Sequence, residues 1–127
     1  MIAIDASALL ALLFKEPGHA RVAEALVSEE CWMSTVNLAE VLARFSRDGH
    51  SSLQVLARLQ ATAIEWMDFD GKQAALSADF LPRTRALGLS LGDRACLALA
   101  ATLGCPALTA DTAWKATEIG VEIELIR

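Results

Sequence analysis

Positive charge is scarce in this chain. Eleven lysines and arginines face sixteen aspartates and glutamates, a net charge of -5 over 127 residues. That balance argues against a broad basic surface for nucleic acid. It leaves room for a site in which bound cations supply positive charge locally. Histidine is scarcer still. His19 and His50 are the only two, and neither falls in a motif, so a histidine acid–base mechanism has no evident carriers. Cysteine is limited to Cys31, Cys96 and Cys105, an odd number with no close-spaced pair. Each lies in or beside an apolar stretch, so they read as small buried side chains in a reduced cytosol. Long hydrophobic runs are missing too. Ala6 to Phe14 is apolar but too short to span a bilayer. It follows Asp5 directly and has no basic leader, which makes it a poor signal peptide. A cytoplasmic protein without a membrane segment is expected. There is no repeat, low-complexity tract or flexible linker.

What is present is core material. Hydrophobic residues make up 54% of the chain, which excludes disorder, and 127 residues is the size of one ordinary domain, here residues 1–127. Short apolar runs alternate with helical patterns. Strands are expected at Met1 to Ile4, Cys31 to Met33, Ile64 to Phe69, Pro106 to Thr109 and Val121 to Ile126. Helices are expected between them. In one, Val22, Ala23, Leu26 and Val27 share a face; in the next, capped by Thr35, the stripe is Leu38, Val41, Leu42 and Phe45. Leu53, Leu56 and Leu59 begin another helix, and one from Gly71 is interrupted or kinked at Pro82. Ser90 caps Leu91 to Leu103, apolar nearly all round and ended by Gly104, and a short helical piece lies near Ala113 to Glu118. The alternation argues for α/β architecture: a parallel sheet with helices on both faces.

Ligands of such sheets bind beyond the carboxyl ends of the strands. Four acids stand near such positions: Asp5 and Asp111 just past strand ends, Asp93 in the first turn of a helix and Glu40 in the second turn of one. Carboxylates gathered from remote segments repel one another unless a cation holds them. Hard oxygen ligands of this kind suit Mg²⁺ or Mn²⁺. Each acid also has a plainer role. Asp5 and Asp111 are placed to cap helices, and Ser90-Leu-Gly-Asp93 resembles a capping box. Glu40 and Arg44 are spaced for a surface ion pair worth about 0.2–0.5 kcal/mol. Ser7 and Thr109, each two residues from an acid, either orient the carboxylates or make local turn bonds. Arg44 and Arg47 share a helical side with Glu40, so they are either solvated surface or contacts for phosphate groups. Arg94 points about 100° away from Asp93 around its helix and is a weaker candidate.

Taken in order, the segments I-D-A-S-A-L, N-L-A-E-V, S-L-G-D-R-A-C-L-A-L-A and L-T-A-D-T-A-W resemble a PIN-domain protein. More narrowly, they resemble the VapC-type ribonuclease toxins of bacterial toxin–antitoxin pairs. The resemblance covers the whole chain. It implies a three-layer α/β/α fold around a mainly parallel sheet of four to five strands. It also implies an endoribonuclease that uses Mg²⁺ or Mn²⁺ held by an acidic cluster. Asp5, Glu40, Asp93 and Asp111 match the four acids in turn, the fourth being the most variable in role across the family. Ser7 and Thr109 match hydroxyl positions beside the first and last. The implied chemistry is hydrolysis of an RNA phosphodiester, with the cation polarising the phosphate and activating water. The implied partners are an RNA substrate, a small DNA-binding antitoxin and a second copy of the chain.

Other readings fit less of the sequence. A phosphoaspartyl phosphatase carries Asp-x-Asp after its first strand, where this chain has Asp5-Ala6-Ser7. A receiver domain carries paired acids near its start and a late lysine, and Lys115 alone is a weak match. A dinucleotide-binding module needs a G-x-G-x-x-G that is missing here. A non-catalytic α/β protein, its acids serving as caps and its apolar surface recruiting a partner, is the alternative from another class.

Overall fold

The computed structural model describes residues 1–127. Five short strands form one sheet: β1 (Ile2–Ile4), β2 (Cys31–Ser34), β3 (Ile64–Met67), β4 (Ala107–Thr109) and β5 (Ile123–Leu125). Every pairing is parallel, and the spatial order is β3-β2-β1-β4-β5. Parallel neighbours need crossovers, and helices supply them. α1 (Ala6–Leu13) and α2 (His19–Ser28) link β1 to β2, while α3 (Thr35–Arg47) and α4 (Ser52–Gln60) link β2 to β3. α5 (Gly71–Thr84), a 3-10 turn at Arg85–Leu87 and α6 (Leu91–Leu103) return the chain across the sheet to β4. A second 3-10 segment, Thr112–Ala116, precedes β5.

The central strands β1 and β4 are buried on both faces, as a parallel sheet requires, while the edge strands β3 and β5 are partly exposed. Successive side chains alternate between two cores. Ile2 and Ile4 enter one with Leu9, Val22, Met33, Val41 and Leu108. Ala3 and Ala107 enter the other with Phe80, Leu97, Leu99 and Trp114. The result is a three-layer α/β/α sandwich, with α1 to α4 against one face and α5 and α6 against the other. α6 is buried without a break from Ala95 to Ala100, the outcome its all-round apolarity implied. It ends at Gly104, whose φ of +66° is open to glycine at little cost.

The local expectations hold with small shifts at element ends. Ser34, not Thr35, caps α3, its hydroxyl accepting from Val36 N at 3.2 Å. Thr35 instead accepts from Phe69 N at 3.2 Å, tying α3 to the loop after β3. α5 continues past Pro82 to Thr84. The expected face of α2 is divided: Val22 is buried and Leu26 partly so, but Val27 is 90% exposed. Leu53 at the start of α4 is exposed as well. No helix is long and apolar enough to cross a membrane.

The strand order creates one topological break. The chain winds outward from β1 through β2 to β3, then crosses to the other side of β1 and continues through β4 to β5. The connections leaving β1 and β4 therefore part at their carboxyl ends and open a crevice there.

Candidate acidic site at the strand ends

Asp5 follows β1 and sits at that crevice. Its backbone N–H is bonded to Leu108 O, and its side chain is buried. Asp5 is the residue before α1, but its carboxylate makes no capping bond. Ser7 Oγ donates to Asp5 Oδ2 at 2.6 Å, and Thr109 Oγ1 donates to the same oxygen at 3.1 Å. Each hydroxyl is itself pinned by a backbone amide: Ala110 N to Ser7 Oγ at 3.0 Å and Asp111 N to Thr109 Oγ1 at 3.1 Å. Both bonds fall on Oδ2, so Oδ1 stays available to a ligand.

The other acids have partners of their own. Asp93 lies in the first turn of α6 and closes a reciprocal capping box with Ser90: Ser90 N donates to Asp93 Oδ2 at 2.8 Å, and Asp93 N donates to Ser90 Oγ at 3.2 Å. Asp111 caps the segment after β4 through Ala113 N, at 2.9 Å from Oδ1. Glu40 receives a 2.8 Å bond from Asn37 Nδ2, and the same nitrogen donates to Gly92 O at 3.0 Å. A Cβ on Gly92 would overlap the Glu40 carboxylate. The close approach of α3 to α6 therefore depends on a residue without a side chain.

These contacts gather the acids into one electrostatic group. Burial pushes Asp5 up to about 7; the Asp93 and Glu40 charges add to the rise, and the two hydroxyls oppose it. Glu40 is raised by burial of its carboxyl end and by Asp93, against the Asn37 bond, although the residue as a whole reaches solvent. Asp93 is raised by burial and by Asp111, against its bonds to Ser90. Carboxylates that raise one another carry excess negative charge, the condition a divalent cation relieves. The donor set is all carboxylate oxygen, which fits Mg²⁺ or Mn²⁺ chemically. The side chains as they stand do not form a closed ligand cage of three or more groups. Nor is either larger concavity of the surface at the acids. One, about 240 Å³, is lined by residues such as Leu13, Phe45, Val55 and Arg58; the other, about 340 Å³, lies by Gly104 and Gly120. Of the four acids, Asp111 and Glu40 are exposed, Asp93 is half-buried and Asp5 is buried.

The PIN-domain family profile matches residues 2–120. The chain belongs to the PIN-domain family. No curated relative matches its sequence. Among solved structures, this PIN domain is similar to a toxin–antitoxin complex from Klebsiella pneumoniae, at 17% identity and a TM-score of 0.77, covering 100% of this chain and 98% of that one. It is similar to VapBC2 from Rickettsia felis bound to a DNA fragment of its promoter, at 17% identity, TM-score 0.75 and 98% of both chains. It also resembles VapC20 of Mycobacterium tuberculosis, described as a Sarcin-Ricin loop cleaving toxin, at 18% identity and TM-score 0.74, covering 96% of this chain and 99% of that one. At these identities the likeness establishes the fold.

Two residues of this PIN domain escaped the sequence reading. Asn37 and Gly92 both lie inside the segments that carry the resemblance, three residues before Glu40 and one before Asp93. Only their juxtaposition across α3 and α6 reveals what they do. The arginines are placed differently from the expected surface pair. Arg44 lies 4.7 Å over the Phe14 ring and approaches Asp48 at 3.4 Å, not Glu40. Arg47 is exposed, 3.7 Å from Asp48. Arg94 turns to α5, donating to Ser77 O at 3.2 Å.

Proposed function

We propose that this PIN domain is a divalent-cation-dependent endoribonuclease, the toxin of a VapBC-type toxin–antitoxin pair. The observation that carries the reading is Asp5, buried at the β1/β4 crevice and raised to about 7 beside Asp93 and Glu40. A carboxylate kept at such cost, with its capping role unused, is a group held for a ligand. Asp5, Asp93 and Glu40 would hold Mg²⁺ or Mn²⁺, with Asp111 at the rim. When bound, the cation supplies Lewis-acid polarisation of an RNA phosphate and a more acidic attacking water.

The chain's own groups do the rest. Ser7 and Thr109 both bond Oδ2 of Asp5 and so leave Oδ1 without a protein hydrogen bond. The Ser90 backbone N–H holds Asp93 Oδ2. Arg44 and Arg47 are proposed contacts for RNA phosphates beyond the acids, Arg47 being the more exposed.

The antitoxin partner rests on the same family and on the printed descriptions of similar structures, several of which are toxin–antitoxin complexes. Exposed Phe14, Val27 and Leu53 give this chain apolar surface that an amphipathic antitoxin segment would cover. A basic side chain of that segment would compete with cation and RNA at the acids. A homodimer is part of the same proposal.

The deciding experiment is RNA cleavage by the purified chain with Mg²⁺, with Mn²⁺ and with excess EDTA, alongside Asp5→Asn and Asp93→Asn. Cleavage should require the cation and fall by at least ~100-fold in either folded variant, because the absent carboxylate serves as a ligand. Undiminished cleavage in chelator would end the metal reading.

A further inference from the structure

The acid on α3 is long and exposed, and something must hold it still. We propose that Asn37 is the positioning residue for Glu40. Its amide clamps the Glu40 carboxylate to the first turn of α6 and so fixes its place relative to Asp93. The inference rests on the metal-site reading above and adds to it a residue that neither contacts substrate nor serves as a ligand.

Asn37 is fully buried in α3. Asparagine is a poor helix former, and a buried amide is costly unless bonded. Its presence therefore calls for a reason. Both hydrogens of Nδ2 are used, one on Glu40 Oε1 at 2.8 Å and one on Gly92 O at 3.0 Å. The first bond follows from helical geometry, since residues three apart lie one above the other. The second crosses 55 positions of sequence to the residue beside Asp93. One amide thus joins the turn that carries one acid to the turn that carries another.

The orientation of the amide is settled by its neighbours. Turned over, Asn37 would present Oδ1 to a carboxylate and a carbonyl, two acceptors facing a third. As placed, both amide hydrogens meet acceptors. Gly92 completes the clamp, because any Cβ there would displace the Glu40 carboxylate. Without the clamp, Glu40 would be an exposed side chain free to turn into solvent, and its rotamer entropy would oppose cation binding.

The test is Mn²⁺ binding to the full chain without RNA, read by electron paramagnetic resonance or calorimetry. The variants are Asn37→Leu, Glu40→Gln and the double variant. Leucine keeps nearly the shape of asparagine and removes the donor. Asn37→Leu should weaken Mn²⁺ binding by roughly 10-fold, the lower end of what loss of a ligand-orienting partner costs. The double variant should bind no more weakly than Glu40→Gln alone, because the clamp acts only through that carboxylate. Unfolding midpoints of the metal-free proteins should stay close together, separating positioning from loss of fold. If Asn37→Leu fails to fold, Asn37→Ala, with no donor, carries the same cycle. Wild-type affinity in a folded Asn37 variant overturns the clamp while Glu40 keeps its role, and so do additive losses in the double variant. Wild-type affinity in Glu40→Gln removes Glu40 from the cation site, and the clamp with it.

Discussion

At the scale of single residues, burial acts on a carboxylate most sharply at Asp5. Its folded pKa of about 7 lies above the model-compound value of 3.8, so between those values the folded chain holds a proton that the unfolded chain has lost. The resulting contribution is fully present below about pH 4, falls as pH rises through 7, and stays flat above. Glu40 and Asp93 are raised as well and act with the same sign. In EDTA, the melting temperature of the wild-type chain should therefore decline from pH 5 to pH 8. Asp5→Asn should remove most of that slope, and divalent cation should offset it in the wild type by favouring the charged forms. A pH-independent melting temperature in chelator would show that Asp5 is not held near neutrality.

At the scale of elements, α6 joins the two concerns of the protein. Its apolar length from Ala95 to Ala100 anchors the second core, and its first turn presents Asp93 to the site. The capping box makes these one feature, since Ser90 both starts the helix and orients the acid. Ser90→Ala should cost about 1 kcal/mol of folding stability, the usual loss of a side-chain cap, measurable by chemical denaturation. The Ser90 N bond to Asp93 Oδ2 does not need the hydroxyl, so cleavage of RNA should fall by less than about 10-fold, against at least ~100-fold in Asp93→Asn. A loss of activity as large as that of Asp93→Asn would make Ser90 part of the site itself. The α3 to α6 contact depends on Gly92 in the same way. Its backbone needs no unusual conformation there, only the space that a missing Cβ leaves for Glu40.

At the scale of the whole molecule, net charge and exposed apolar surface bear on partners. The chain carries a net charge of -5 and leaves Val27 and Leu53 in solvent, and the proposed antitoxin is the partner these would meet. Expression alone should slow bacterial growth, and co-expression with a small DNA-binding protein encoded beside it should restore growth. A chain made in quantity that cleaves RNA in vitro, yet causes no growth defect alone, would keep the nuclease and lose the toxin. Arg44 and Arg47 belong to this scale as well, because phosphate contacts release counterions. Replacing both by neutral residues should reduce the salt slope of RNA binding by about one to two units of phosphate contact, and an unchanged slope would leave them as surface charges.

The sequence by itself determined what depends on neighbours along the chain. Alternation of apolar runs and helical stripes specified an α/β chain, because burial period follows backbone geometry. Ser90 with Asp93 is readable as a cap three residues apart, and Gly104 as a stop. The acidic segments were legible as an ordered set through their likeness to the PIN family. Tertiary structure decided everything that required two distant segments to meet. Nothing local in TVNLAEV says that Asn37 will bond Gly92, and nothing in LGD says that Gly92 must be bare so that Glu40 can approach. Arg44 had Glu40 and Asp48 both within helical reach; it pairs with Asp48 and lies over the ring of Phe14, at the end of α1. Val27 looked like core by its spacing, yet α2 packs on α1 through Val22 and Ala25 and leaves Val27 outside. Asp5 might have capped α1. Thr109, 104 residues away, and the strand order that puts β4 beside β1 claimed its carboxylate for the crevice. A hydrogen bond between remote segments forms only when packing has already brought them together, and packing is a property of the whole chain.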